Sequence, residues 1–196
     1  AVRSLTRALD IYVDSGRFAI AAKAEKDIAE IYEAEGNLTE AADHFQKSAD
    51  FYEAEGQASN RDSCLLKVAH FMGSLTKYKE ASELFEKVAQ ACAEDKLRKF
   101  GVRDHLLKAG ICHLAAGDNV AVRRAVDRYP AISFEWADSR EAKFLISLLD
   151  AAEGFNEAAF SAAVQDYDSL SRLDQWKTSI LVKAKEVIKN EDAELI

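Results

Sequence analysis

Four histidines, three cysteines and 34 carboxylates are the side chains here that could hold a metal, attack an electrophile or carry a proton. A helix offers a metal two ligands when they stand four residues apart. His44, His70, His105 and His113 are never so spaced. His113 follows Cys112 directly, but neighbours on a helix point about 100° apart and cannot readily share one ion. A cysteine nucleophile needs a positioned base, and the spacing supplies none for Cys64, Cys92 or Cys112. Close carboxylates such as Glu33 and Glu35 fit a solvated helix face. No P-loop, HExxH, GxSxG, GxGxxG or zinc-finger spacing occurs. The expectation is a protein that is not an enzyme and uses neither metal nor cofactor.

The elements that carry its surfaces are helices. The 196 residues include one proline, eight glycines and 34 alanines, with 48% hydrophobic and 31% charged side chains. Such a chain makes one domain or two small ones, has apolar residues enough for a core, and is poorly suited to many-stranded or Gly-rich nucleotide-binding folds. Val2, Leu5, Leu9, Tyr12 and Val13 follow helical spacing up to a stop at Gly16. A second helix is expected from about Phe18 to Ala34, stopping at Gly36. A third runs from about Thr39 to Glu55, stopping at Gly56, with Asn37 and Thr39 as caps.

These helices repeat. Alanine stands at 1, 41, 81 and 121; Ala29, Ala69 and Ala109 share that period of forty, as do Leu5, Phe45 and Phe85. Ala29 precedes Ala41 by twelve residues and Phe45 by sixteen, the small-small-aromatic spacing of tetratricopeptide (TPR) repeats in a unit longer than the usual ~34. Hairpins are expected at about 17–56, 61–94 and 98–129, the last weaker because Ala125 replaces the aromatic. Pro130 breaks the pattern inside YPAISFEWADS, a non-helical connection. Helices off that register follow at about 138–153, 156–171 and 174–189, then the acidic tail NEDAELI. The fold class is all-α: a TPR-like solenoid of antiparallel hairpins over 1–130, then a C-terminal helical bundle and tail over 131–196, in one continuous unit. The opening AVRSLTRALDIYVDSG has no methionine and starts inside an amphipathic pattern, so the chain reads as N-terminally truncated.

Three cysteines without CxxC or an even framework suit a reducing compartment. No apolar run approaches the ~18 residues of a membrane span, and no signal segment is present; a cytosolic protein is expected. The net charge of −8 argues against nucleic acid as a partner. Residues 25–55 hold ten acidic and two basic side chains, whereas residues 97–128 hold seven basic and three acidic. Alternating charge of this kind fits protein partners met by electrostatic complementarity, or else a solubilising surface.

SREAKFLISLLDA (139–151) and YDSLSRLDQW (167–176) closely resemble the alpha-type soluble NSF attachment proteins (SNAPs). So do DIYVDSGRFAIAAK (10–23), SADFYEAE (48–55), CLLKVA (64–69) and the acidic Glu-Leu ending. The resemblance implies a right-handed, twisted sheet of antiparallel helices ending in a bundle. It implies an adaptor that coats the SNARE four-helix bundle, of syntaxin-type and other SNAREs, and recruits and stimulates the hexameric ATPase NSF for SNARE disassembly. Localisation would be cytoplasmic, held peripherally at membranes through SNAREs, with direct membrane contact made mainly by an N-terminal part absent here. A TPR scaffold gripping a C-terminal peptide would need a Lys/Asn clamp that the repeats do not offer. A subunit of some other large assembly would leave Glu194-Leu195-Ile196 without a task.

By the same resemblance, Arg17, Lys23 and Lys67 match SNARE-facing cations, while Ser63 stands where animal members carry lysine. Arg61, two residues earlier, points elsewhere. Asp118, Asp150 and Glu153 match NSF-facing carboxylates, and Gly154 replaces the next one. Leu195 matches the near-terminal leucine with which the family stimulates ATP hydrolysis.

Overall fold

A computed structural model describes residues 2–194, with side chains for residues 2–190. It contains ten α-helices: α1 (Val2–Asp14), α2 (Phe18–Ala34), α3 (Leu38–Ala54), α4 (Ala58–Ser74), α5 (Tyr78–Ala93), α6 (Val102–Ala115), α7 (Asn119–Ile132), α8 (Arg140–Glu153), α9 (Glu157–Leu170) and α10 (Gln175–Glu194). Among the described residues there is no strand, and no helix is long and apolar enough to cross a membrane. The fold is all-α, built from TPR-like antiparallel hairpins, and divides into two compact units, residues 1–77 and 78–196.

In the first unit α1 to α4 pack in chain order. Partners across the α2–α3 turn run in opposite directions: Phe18 stacks on Phe51, the Ser48 hydroxyl donates to the Ala22 carbonyl at 2.8 Å, and Glu25 meets His44. Glu25 is 3% exposed, so its carboxylate has to be paired; His44 Nδ1 lies 2.5 Å away, its ring stacked on Tyr32. Helices α2, α3 and α4 are 17 residues each. Asn37 takes the N-cap of α3, but its side chain does not cap.

The turns between these helices share one geometry. Residues 16, 36, 56 and 76 are left-handed, with φ of 69, 78, 67 and 62°. The next N–H, of Arg17, Asn37, Gln57 and Lys77, returns to the carbonyl of Tyr12, Tyr32, Tyr52 and Met72. This is the Schellman closure, which satisfies carbonyls left over at a helix end. Three positions carry glycine and the fourth carries Thr76, a β-branched residue in a conformation it disfavours. The structural period is thus twenty, half the period of the hairpin. Ala29, Ala49, Ala69, Ala89 and Ala109 recur on it, each at most 1% exposed.

In the second unit α6 is the hub, packing against α5, α7, α8 and α10. It buries residues around its whole circumference, from Val102 to Ala115, as a helix enclosed by others must. Because α10 returns to α6, the last helices form a bundle rather than a strict stack of nearest neighbours. Gly110 marks the closest approach: a Cβ there would stand 2.5 Å from Leu145 Cδ2 of α8.

Pro130 does not break the chain where expected. Helix α7 continues through it to Ile132, with the Ser133 N–H reaching the Tyr129 carbonyl; the cost of the missing N–H and of the ring against the preceding turn is borne within one turn of the helix end. The irregular connection shrinks to Ser133–Ser139 around the short 3-10 turn Phe134–Trp136. Tyr129 and Trp136 are fully buried, ring to ring at 5.3 Å, one helical turn beyond the small Ala125.

Two substitutions test this packing. Gly110→Ala should cost about 1–3 kcal/mol by forcing Leu145 aside. Thr76→Gly should gain about 0.5–1 kcal/mol net, after the extra chain entropy of glycine, and raise Tm by about 2–3 °C. Thermal and urea unfolding of the two variants against the parent chain measure both.

Candidate functional site

The three cations matched to SNARE contacts lie in the first unit. Arg17 holds the N-cap position of α2 and Lys23 sits in its second turn; both are exposed, and neither side chain has a partner among the described residues. Lys67 is different. From α4 its Nζ reaches two Glu33 oxygens of α2, at 2.7 and 3.0 Å, while standing 5.9 and 6.0 Å from the ring centroids of Phe45 and Phe71. The stem packs on aromatic surface and the ammonium stays at the solvent edge. Lys23, Lys26, Glu30 and Glu33 follow 3-4 spacing along one stripe of α2, so Lys23 and Lys67 mark the ends of a strip about 15 Å long. Arg17 lies off that stripe. Ser63 is exposed one turn before Lys67, and Arg61 is turned to Asp62 and Glu53.

The three carboxylates matched to NSF contacts lie in the second unit. Asp118 caps α7, its Oδ1 accepting the Ala121 N–H at 2.8 Å. Asp150 and Glu153 occupy the exposed last turn of α8, three residues apart. Glu153 accepts both Nε and Nη2 of Arg123, a bidentate pair with an Nε distance of 3.0 Å. That hydrogen bonding, with the nearby Asp150 and Asp127 carboxylates, holds the Arg123 pKa above its ordinary value. Asp150 and Glu153 are therefore gathered around one guanidinium. Leu195 lies outside the described residues.

Folding also pairs most of the basic run at 97–128. Arg98 bonds Asp95, Lys99 meets Glu135 at 3.5 Å, Lys108 bonds Asp104, Arg123 takes Glu153, and Arg128 takes Glu86. Glu86 gathers three helices: Tyr129 Oη donates to it at 2.7 Å, Arg128 donates beside it, and His113 Nε2 lies 3.3 Å away. Burial pushes its carboxyl up, but these hydrogen bonds outweigh burial and hold it below the usual range. Glu33, Glu86, Glu135 and Arg123 are the counter-charges that sequence reasoning missed. Their partners lie 27 to 43 residues away, so no local spacing signals them.

The segment SLSRLDQW proves to be a joint. Asp168 Oδ1 accepts the Leu173 N–H and Asp174 Oδ1 the Lys177 N–H, both at 2.7 Å, which fixes the turn into α10. Trp176 meets Phe85 of α5 edge to face at 5.5 Å. Lys177 Nζ sits 2.6 Å from Asp104 of α6 and 3.1 Å from Asp174, and Asp104 also takes Lys108 at 2.8 Å. Burial pushes the Asp104 carboxyl up, yet Lys108 and Lys177 hold it below its ordinary value. Burial lowers the Lys177 ammonium pKa, yet Asp104 and Asp174 raise it above normal. Among the described residues no three His, Cys, Asp or Glu side chains are grouped to hold a metal. Burial pushes the Cys112 thiol up to about 12, leaving it almost without thiolate at neutral pH.

Antiparallel helical hairpins with charged outer faces place the chain in the all-α, TPR-like class of proteins. Within that class, the chain belongs to the soluble NSF attachment protein family: the family model "Soluble NSF attachment protein, SNAP" matches residues 1–189. It is 39% identical to the alpha-soluble NSF attachment protein of Vitis vinifera, over 99% of this chain and 67% of that one. It is also 39% identical to the alpha-soluble NSF attachment protein of Mus musculus, over 100% and 66%. A probable vesicular-fusion protein sec17 homolog of Schizosaccharomyces pombe is 35% identical over 100% and 68%. The chain spans about two thirds of the length of these relatives.

The α6–α10 joint has a pH signature. Asp104 has a lowered folded-state pKa, so its contribution is complete above the unfolded value near 3.9 and is lost as pH falls through the folded value. Urea unfolding should show stability falling below about pH 4, with Asp104→Asn flattening that slope. An unchanged acid slope in Asp104→Asn would remove the joint from the account of acid stability.

Proposed function

We propose that the chain is an adaptor that binds assembled SNARE bundles and recruits and stimulates NSF, so that the ATPase can take the bundles apart after vesicle fusion. The observation that carries this is membership of the attachment-protein family along nearly the whole chain. The adaptor catalyses nothing itself and works in the cytoplasm, at membranes through its SNARE partners. Arg17, Lys23 and Lys67 meet the acidic outer face of the SNARE bundle. Such exposed charges supply orientation and encounter rate more than affinity. Asp118, Asp150 and Glu153 meet a basic surface of NSF, and Leu195 stimulates hydrolysis.

The division of labour fits the geometry. Exposed Arg17 and Lys23 have no ion pair among the described residues to give up when a partner docks. Lys67 presents a charge already aimed by the Phe45 and Phe71 rings. Asp118 keeps its second carboxylate oxygen for a partner while the first caps α7.

NSF turnover in the presence of SNARE complexes tests the reading. Adding the chain should raise ATP hydrolysis, and Lys23→Glu should raise the concentration needed for half the effect about two- to fivefold at low salt. Leu195→Ala should bind as the parent does yet fail to stimulate. No stimulation by the parent chain would overturn the adaptor role, whereas full stimulation by Leu195→Ala would remove only the role of the leucine.

A further inference from the structure

Of the three carboxylates assigned to the ATPase partner, Glu153 already has a partner within the chain. Arg123 reaches it from the start of α7 with two parallel hydrogen bonds, a fork geometry that matches carboxylate well. The pair is exposed, with 56% of the Arg123 side chain and 36% of the Glu153 side chain accessible. It contrasts with Lys177, whose side chain is only 12% accessible and which joins α10 to Asp104 of α6. Helix α7 does not need Arg123 for anchorage, because Val122, Ala125 and Tyr129 are buried beneath it. The guanidinium also lies within the field of Asp150, so it screens a second carboxylate of the same set.

We propose that Arg123 is a built-in competitor for the partner's cations. Docking of a basic surface on this end of α8 is then an exchange of ion pairs, in which the partner's lysine or arginine displaces Arg123 from Glu153. The proposal rests on the reading of Asp150 and Glu153 as the carboxylates that face NSF. An exposed pair of this kind lowers affinity by a factor of about two to five when it has to be given up. Arg123 also adds a like charge to the approach, which slows encounter. Exchange further leaves the number of ion pairs unchanged at Glu153, so binding should depend less steeply on salt than three free carboxylates would make it. The device tunes selectivity: a weakly basic surface loses that factor of about two to five in full, whereas a surface carrying several cations offsets it.

The test is binding of NSF to the chain assembled on SNARE complexes, titrated at several salt concentrations. The parent is compared with Arg123→Gln, Arg123→Lys, Asp150→Asn and Glu153→Gln. Arg123→Gln should tighten binding about two- to fivefold and steepen its salt dependence. Arg123→Lys keeps the charge but loses the fork, and should fall between the two. Asp150→Asn should weaken binding. Weaker or unchanged binding by Arg123→Gln, while Asp150→Asn still weakens it, overturns the competitor role and leaves the docking surface standing. If neither Asp150→Asn nor Glu153→Gln alters binding, the docking surface falls and the competitor with it. Thermal unfolding gives the remaining control: a Tm for Arg123→Gln more than about 4 °C below the parent would make the pair structural and also overturn the proposal.

Discussion

A helix that ends inside a folded protein leaves carbonyls without donors, and this chain meets that requirement in the same way at turn after turn. Seventeen helical residues followed by a three-residue turn with one left-handed residue at its centre return the chain antiparallel, with the sixth residue bonded back to the first. Once that unit is fixed at twenty residues, a side chain at a given position meets its counterpart's environment in the next helix. This is why alanine recurs at 29, 49, 69, 89 and 109, each at most 1% exposed. Within each unit, small residues there let neighbouring helices approach, and the large rings of Phe45 and Phe85 are buried in the same units. The cost of departing from glycine falls on Thr76 and Phe155, with φ of 62 and 50°. Both keep the same closing bonds, so hydrogen-bond satisfaction outweighs the local steric penalty.

That regularity ends where α6 becomes enclosed on all sides. A neighbour-only stack would leave one face of α6 open to the next hairpin. Here α10 covers it, and the residues between α9 and α10 have to turn the chain back to do so. Asp168, Asp174, Trp176 and Lys177 do this with two turn-closing carboxylates, one ring against Phe85 and one ammonium shared between helices. A lysine almost withdrawn from water is tolerable because two carboxylates face it. The position of α10 is thus defined by directional contacts as well as by apolar fit.

Much of this was legible in the sequence. The boundaries of α2 and α3 follow from Gly16, Gly36 and Gly56, and the buried columns follow from Ala29, Ala69 and Phe45. The twenty-residue period was harder to see because its fourth turn carries Thr76, which no turn rule marks. Pro130 was misleading because the buried Tyr129 and Ala125 hold α7 in place through its last turn, so packing outweighs the local cost of the proline. Motifs were informative in a different sense from the one expected. SLSRLDQW carries the family resemblance, yet the structure gives its Trp176 a packing task against Phe85 of α5, while Leu170, Arg172 and Gln175 stay exposed.

Charge was the least legible quantity, and the reason is physical. A run of seven cations over residues 97–128 looks like a basic surface only while its carboxylates are out of sight on other helices. Glu86, Glu135 and Glu153 supply them after folding. What stays at the surface is the residue of that cancellation: Arg17 and Lys23 without counter-charges among the described residues, Lys67 and Glu153 with theirs attached. In an exposed pair the attraction is small and readily exchanged, whereas in a pair such as Lys177–Asp104 it is locked by burial. The same two residue types therefore serve docking or architecture according to how much water reaches them. Pairs of the first kind can stand on the helix faces because pairs of the second kind, with the apolar columns, hold the helices in place.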